Sequence, residues 1–439
     1  MKRSEQKRVI ILGLIGVGTV GTGTAKVFLE HQQEIERRLG CRLELKTLCS
    51  RSIHKKDLSW LKPPVEITTD WKQVVADPDI DIVIELVGEK TTALSIARAT
   101  LGAGKHLVTA NKQVVAEHSM ELLNLSRATG ANLGIEACVA GGTPILHAIR
   151  EGLSGERFAA VYGILNGTTN FILTEMERRH SSFADALAEA QRAGFAEPDP
   201  TFDVEGFDAR YKIAILSMIC FGQVIPVKDI PVEGIRPIEP IDFAYAHRLD
   251  HTIRLIAGAR RSARDRLEIF VRPMMIPRSA SLAAVTGSTN GILLVGNKAG
   301  NTLVTGRGAG GEPTGVAVVS DVVQTARAIL SGGLRESLGY SAWRRGKVLP
   351  LGRRMTSSYL RLVVNDTPGI LAKVCTILAR QKINIDSVLQ EPAHSKKQLP
   401  FVMTLEPTQE MNVQRAVCQI ARLPFLARPP LLMPFAGDF

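Results

Sequence analysis

Aromatic side chains are scarce in this 439-residue chain, at 5%. A platform that stacks successive bases needs many of them. The basic residues behind the net charge of +11 are also scattered, with only short clusters such as Arg260-Arg261 and Arg344-Arg345. This charge therefore does not point to nucleic acid; a mildly basic surface suits anionic small molecules and phosphates. The six cysteines, Cys41, Cys49, Cys138, Cys220, Cys375 and Cys418, contain no C-x-x-C pair. Neither a zinc site nor a disulfide framework is suggested, and the usage fits a reducing cytoplasm. Long apolar runs are missing too. The strongest, Ile213 to Phe221, falls far short of the ~20 residues of a membrane span. Lys2, Arg3, Lys7 and Arg8 precede an apolar stretch as in a secretory signal. Spaced glycines interrupt that stretch, and no small-residue cleavage pattern closes it. The expectation is a soluble, cytoplasmic protein of two or three domains, with no membrane partner.

The most informative segment is Leu12 to Gly21, a G-x-G-x-x-G turn directly after the apolar run Val9 to Ile15 and before a helix over Thr22 to Arg38. Gly16 allows the tight turn, Gly18 lets a pyrophosphate approach the backbone, and Gly21 lets helix and strand pack closely. The helix start offers unpaired N–H groups and a positive dipole end. Strands over Leu43 to Cys49, Asp81 to Val87 and His106 to Thr109 alternate with helices over Ala93 to Gly104 and Val114 to Thr129. Alternation of this kind predicts a doubly wound parallel α/β sheet. The second strand ends Leu48-Cys49-Ser50-Arg51, with no acid for a ribose hydroxyl. Ser50 and Arg51 favour the 2′-phosphate of NADP over NAD.

From Glu136 the texture changes to an α+β pattern, with glycines crowding Ala140 to Thr143 and Gly163 to Gly167. Val271 to Pro273 and Leu282 to Leu294 read as sheet. The division expected is 1–135 for the nucleotide-binding domain, with a return segment at 306–330, then 136–305 for a substrate domain. A linker follows at 331–356. The last unit, 357–439, runs strand-helix-strand-strand-helix-strand, the ferredoxin-like order.

The chemistry-bearing residues gather in Asp203 to Phe221. Asp203 reads as a helix N-cap, with Asp208 and Lys212 one turn apart on a face continued by Ile215, Leu216 and Ile219. On an exposed face this is an ordinary i, i+4 pair worth ~0.3–0.5 kcal/mol. On a face leading into the core, an ammonium needs a partner or a job. Upstream, Glu197-Pro198-Asp199-Pro200 is an extended acidic loop that suits a substrate ammonium, a metal or plain solvation. Lys112, after a strand end, can reach a cofactor or a substrate carboxylate, or face water. Asn166 to Asn170 supplies turn geometry or caps a helix over Phe171 to Arg179.

Together the segments "GLIGVGTVG" (13–21), "ELVG" (85–88), "TANK" (109–112), "EACVAGGTPI" (136–145), "LNGTTNFIL" (165–173), "AEPDPTFDVEGFDARYKIAIL" (196–216) and "GRGAGGEPT" (306–314) resemble the homoserine dehydrogenase family. "NDTPGILAKV" (365–374) and "INIDSV" (383–388) resemble the ACT domain of one branch of it. Glu89 departs from the glycine usual after "ELVG". The resemblance implies NAD(P)-dependent interconversion of L-homoserine and L-aspartate 4-semialdehyde, in threonine, methionine and isoleucine biosynthesis. By motif match it makes Lys212 the proton donor, Asp208 its orienting partner and Lys112 a second lysine close to the cofactor. Gly16, Val17, Gly18, Val20, Gly21, Arg51, Lys112 and Gly310 would hold the dinucleotide, and Glu197 and Asp203, with Lys212, the substrate. A structural sodium ion would sit on Glu136, Val139, Gly141 and Thr143. The ACT unit implies side-by-side pairing into a dimer or tetramer and an amino-acid effector, L-threonine, at Asp366 to Gly369 and Asn384. Two other readings stand beside this one. One is an aldehyde-oxidising enzyme with Cys138 as nucleophile and His147 as base. The other is an amino-acid sensor without catalysis.

Overall fold

The computed structural model describes residues 9–61, 64–262, 266–332, 337–340, 342–391 and 396–437. Lys2, Arg3, Lys7, Arg8 and parts of the expected linker and last unit lie outside the described residues.

The first sheet is parallel. β1 (Val9–Ile15), β2 (Arg42–Cys49), β3 (Glu66–Thr68), β4 (Ile82–Glu85), β5 (His106–Thr109) and β6 (Leu133–Gly134) stand in the order β3-β2-β1-β4-β5-β6. This is the doubly wound dinucleotide order, with its switch point between β1 and β4. β4 is buried along its whole length and β1 nearly so, which is why both read as continuous apolar runs. The connecting helices are α1 (Thr19–Leu39), α2 (Trp71–Ala76), α3 (Lys90–Gly102) and α4 (Lys112–Thr129). Glu89 serves locally as the cap of α3, where its carboxylate accepts from Thr91 and Thr92 N–H (both 2.7 Å).

The middle of the chain holds β7 (Phe158–Ile164), β8 (Gln223–Val224), β9 (His251–Arg261), β10 (Leu267–Pro277), β11 (Thr289–Gly296) and β12 (Asn301–Arg307). Five of these form an antiparallel sheet in the order β10-β9-β7-β11-β12. α5 (Ile145–His147), α6 (Gly167–Arg179), α7 (Phe183–Arg192), α8 (Thr201–Val204), α9 (Phe207–Phe221) and α10 (Pro240–Arg248) accompany it. Two expectations are corrected here. Asp203 is not an N-cap: it lies inside α8, and Gly206, with φ +80°, breaks the chain before α9. Nor does α9 carry one apolar stripe. It is buried almost all round, as a core helix is. α11 (Gly311–Leu330) then returns to the first sheet. A Cβ on Gly23 of α1 would come within 2.3 Å of the Gly311 backbone, so glycine permits this close helix–helix contact.

Past α11, β13 (Arg344–Arg345) pairs with β8, just beyond the C-terminus of α9. Tyr340 Oη also donates to the Cys220 carbonyl at the end of α9 (3.2 Å). The final unit comprises β14 (Met355–Val364), α12 (Ile370–Arg380), β15 (Ile385–Gln390), β16 (Leu399–Gln409), α13 (Glu410–Ile420) and β17 (Leu431–Pro434). Its antiparallel order, β15-β16-β14-β17, is that of a ferredoxin-like sheet. Leu360, Leu362 and Val364 pack with α12 and α13. The intervening residues meet the middle of the chain: Tyr359 Oη donates to Asp242 of α10 (2.7 Å), and Arg361 pairs with Glu239 and Asp242 (2.8 and 2.9 Å). Tyr359, Val402 and Met433 belong to the same buried cluster as α9.

Candidate active site

The glycine turn forms a cradle beyond β1. Gly16 adopts φ +103° and donates to the Cys49 carbonyl (2.8 Å). A Cβ on Gly21 would stand 1.9 Å from the Gly16 oxygen, whereas one on Gly18 would meet nothing within 4 Å. That open space lies at the N-terminus of α1, with Val17 buried and Val20 half-buried beside it. The N–H groups of a helix start suit a pyrophosphate. Gly310, with φ +123°, precedes α11, and a Cβ on Gly311 would lie 2.8 Å from the Thr19 oxygen. Two helix N-termini thus converge at the cradle. Arg51 is exposed two residues past β2.

Glu85, at the end of β4, is fully buried without a counter-cation among the partners it shows. Its carboxylate accepts from Val87 N–H and Thr109 Oγ (both 2.6 Å). Thr109 Oγ accepts from Asn111 N–H (3.0 Å), and the Asn111 amide donates to the Val87 carbonyl (3.1 Å). Burial pushes the Glu85 carboxyl up to about 7. This network locks the strand-end loops 85–88 and 109–112 side by side. Lys112 emerges from the second of them.

Lys112 Nζ lies 3.0 Å from Asp208 Oδ1, and Lys212 Nζ donates to Asp208 Oδ2 (2.7 Å). One carboxylate from α9 thus bridges two ammonium groups from different domains. Burial opposes ionisation of Asp208, yet the two lysines outweigh it and hold it well below the usual carboxylate range. Asp208 in turn raises Lys112, against burial. Lys212 Nζ also donates to the Leu165 carbonyl (2.7 Å), which accepts from Asn290 as well (3.0 Å). Lys212 is buried, and the Lys112 side chain is one third exposed.

Asn166 is the residue whose weight the sequence understates. Its amide donates to Asp203 (2.7 Å) and Asp208 (3.0 Å), and its carbonyl oxygen accepts from Thr169 N–H at the start of α6 (2.8 Å). Burial and the neighbouring Asp208 raise the Asp203 carboxyl. Glu197 stands apart. It is exposed, and its backbone carbonyl accepts from Gln191 (3.2 Å). Among the described residues no side-chain contact joins it to the lysines.

Cys138 is unsuited to nucleophilic attack: burial pushes its thiol far up, and its Sγ donates to the Thr109 carbonyl (3.3 Å). His147 is engaged by Asp321 (3.0 Å) and lies 3.7 Å from Glu136.

The segment expected to hold a cation is buried. The Glu136 carboxylate accepts from Leu146 and His147 N–H (2.9 and 2.7 Å), which ties it to the α5 segment. Thr143 Oγ is buried with no hydrogen-bond partner among the described residues, near the tight turn in which Gly141 has φ +48°. Among those residues no three His, Cys, Asp or Glu side chains converge on a metal, so the donors on offer are mainly neutral oxygens, which a hard cation accepts.

In the last unit a hollow of about 190 Å³ is lined by Asp366, Thr367, Gly369, Ile370, Gln390 and Phe401, among others. It opens at the N-terminus of α12. Asn384 is not part of its lining; its amide donates to Glu406 (3.2 Å).

Three family models match the chain: "Homoserine dehydrogenase, NAD binding domain" over residues 16–136, "Homoserine dehydrogenase" over 144–323 and "ACT domain" over 358–425. A homoserine dehydrogenase of Pseudomonas aeruginosa is 38% identical over 423 residues, covering 95% of this chain and 96% of that protein. The crystal structure of a homoserine dehydrogenase from Thiobacillus denitrificans superposes with a TM-score of 0.91 at 38% identity, covering 98% of both chains. A hyperthermophilic archaeal homoserine dehydrogenase, solved in complex with NADPH, matches 75% of this chain and all of its own at a TM-score of 0.63 and 26% identity.

Proposed function

The chain belongs to the homoserine dehydrogenase family of oxidoreductases, and from that premise we propose that it reduces L-aspartate 4-semialdehyde to L-homoserine with NADPH, reversibly, using Lys212 as the proton donor. The observation that carries this reading is the Lys112–Asp208–Lys212 bridge, whose Lys112 follows β5 at the carboxyl edge of the parallel sheet. A reduced nicotinamide, when bound, supplies hydride to the aldehyde carbon. The carbonyl oxygen then needs a proton at the same edge. Lys212 is buried and fixed by two acceptors, which leaves its third N–H for the substrate oxygen. Ionised Asp208 keeps Lys212 protonated and aimed. Lys112, held to the same carboxylate, places a second positive charge against the developing alkoxide.

Asp203 lies within the Asn166 network, and Glu197 is an exposed carboxylate on the loop that leads into α8. Both are carboxylates suited to the substrate ammonium. Arg51 would bind the 2′-phosphate, which the NADPH complex of the archaeal relative supports as a cofactor choice. Gly16, Val17, Gly18, Val20, Gly21 and Gly310 would line the dinucleotide site. A sodium ion fits the neutral oxygens of Glu136, Val139, Gly141 and Thr143, with the orphaned Thr143 Oγ as the specific support. The hollow at α12 suits an amino-acid effector, and L-threonine, the effector that the family resemblance implies, is the candidate. We place the domain boundaries as the sequence sets them, and the enzyme in the cytoplasm as a dimer or tetramer.

The test is NADPH consumption with L-aspartate 4-semialdehyde, with and without millimolar L-threonine, in the wild type and Lys212→Ala. Turnover that survives in Lys212→Ala refutes the proton assignment. Turnover indifferent to threonine refutes the effector.

A further inference from the structure

Two aromatic residues span the cleft between the nucleotide-binding and substrate domains. Phe202, on α8, is the residue before Asp203. Its ring lies 5.8 Å below Lys112 Nζ, within range of a cation–π contact. The same ring stacks on Tyr211 of α9, with centroids 5.9 Å apart and planes inclined by 23°. Tyr211 Oη reaches back across the cleft to Glu117 of α4 (2.8 Å), which also pairs with Lys90 (2.9 Å). α4 therefore meets the substrate domain at two points one to two helical turns apart, Lys112 and Glu117. The Phe202–Tyr211 pair joins both.

A single exposed phenylalanine is ordinary. Phe202 is 36% exposed at the mouth of the site, but one face is committed to Tyr211 and the cation lies within reach of the ring. Among the described residues Lys112 pairs directly with one carboxylate, Asp208, while Asp203 adds a weaker attraction, and its stem is long and flexible. Without a second restraint its ammonium would swing between Asp208 and solvent. The ring supplies that restraint and excludes water on that side.

We propose that Phe202, braced by Tyr211 and Glu117, is a positioning residue that fixes the Lys112 ammonium against Asp208 for the reduction step. This rests on the role assigned to Lys112 above.

The test compares Phe202→Ala, Phe202→Tyr, Tyr211→Phe and Lys112→Met in the full-length enzyme. Three quantities are read: kcat and KM for the aldehyde, NADPH affinity by fluorescence titration, and acetylation of Lys112 by acetic anhydride followed by mass spectrometry. Phe202→Ala is expected to lower kcat about tenfold and to speed Lys112 acetylation several-fold, with NADPH affinity within about twofold of the wild type. Phe202→Tyr restores both, and Tyr211→Phe gives a smaller change of the same sign. Unchanged kcat and unchanged acetylation in Phe202→Ala, alongside an impaired Lys112→Met, overturn this inference alone. A fully active Lys112→Met overturns the role of Lys112 itself. A Phe202→Tyr enzyme as poor as Phe202→Ala also overturns the proposal.

Discussion

Arg272 of β10 and Glu410 at the head of α13 form a bidentate ion pair, with N–O distances of 2.9 and 2.7 Å, and both side chains are almost completely buried. Removing one member of a buried pair leaves an uncompensated charge, which costs ~3–5 kcal/mol. Arg272→Ala should therefore lower the melting temperature sharply. The double variant Arg272→Met/Glu410→Leu should recover most of that loss, since apolar replacement of both members is often neutral. Calorimetry of the three proteins checks this. A double variant as unstable as the single would show that the pair fixes geometry that packing cannot replace.

Lys212→Ala should lower kcat by ~10²–10⁴-fold, the usual worth of acid–base catalysis. NADPH affinity should change little, because the cradle lies on another domain. Asp208→Asn should also impair kcat, since it removes the charge that two ammonium groups share. Steady-state rates paired with cofactor titration separate the two effects.

Gly18→Val should leave the fold intact while weakening dinucleotide binding, because a side chain there would enter only the open space at the α1 N-terminus. Gly21→Val should instead compromise folding, since its Cβ would collide with the Gly16 oxygen. Soluble yield and NADPH titration distinguish these outcomes. A Gly18→Val enzyme that binds NADPH normally would place the pyrophosphate elsewhere.

Arg51→Ala should weaken NADP(H) more than NAD(H), measured as the ratio of the two KM values. An equal effect on both would remove Arg51 from cofactor choice.

Glu85 gives a pH signature. Its folded-state value, about 7, lies above the ordinary 4.5. A raised carboxyl favours folding most while protonated, so its contribution is full below about 4.5 and is lost as pH rises through about 7. Glu85→Gln removes that dependence. The difference in melting temperature, variant minus wild type, should therefore rise between pH 5 and pH 8. A flat difference would mean that the carboxyl ionises as readily in the fold as in the unfolded chain.

The first domain was legible because β1, β4 and β5 are almost wholly buried and so read as apolar runs, and because Gly16, Gly18 and Gly21 mark the turn. β1 and β5 have the limits that their apolar runs predict. β3 and α2, with three and six residues, are too short to show a period. The glycine at 206 was visible, but nothing local shows that it takes a left-handed conformation and starts a new helix, so Asp203 reads as a cap. Lys212 and Asp208 were legible as a pair. Their third partner, Lys112, is 96 positions from Asp208 in the chain and only folding brings it near. The same holds for Arg272–Glu410, for Tyr359–Asp242 and for Asn166 as a hub of two aspartates.

The helix that carries Asp208 and Lys212 ends against β13 and Tyr340, and β14 and α13 press on the sheet beside it. A graft of the C-terminal unit from a relative would thus have to bring the segment from Tyr340 onward and meet matching groups at positions 239, 242 and 272. Swapped at a boundary drawn only by sequence similarity, it would strip Asp242 of Arg361 and Arg272 of its bidentate partner Glu410. In this chain the C-terminal unit is therefore part of the support of the helix that carries Asp208 and Lys212.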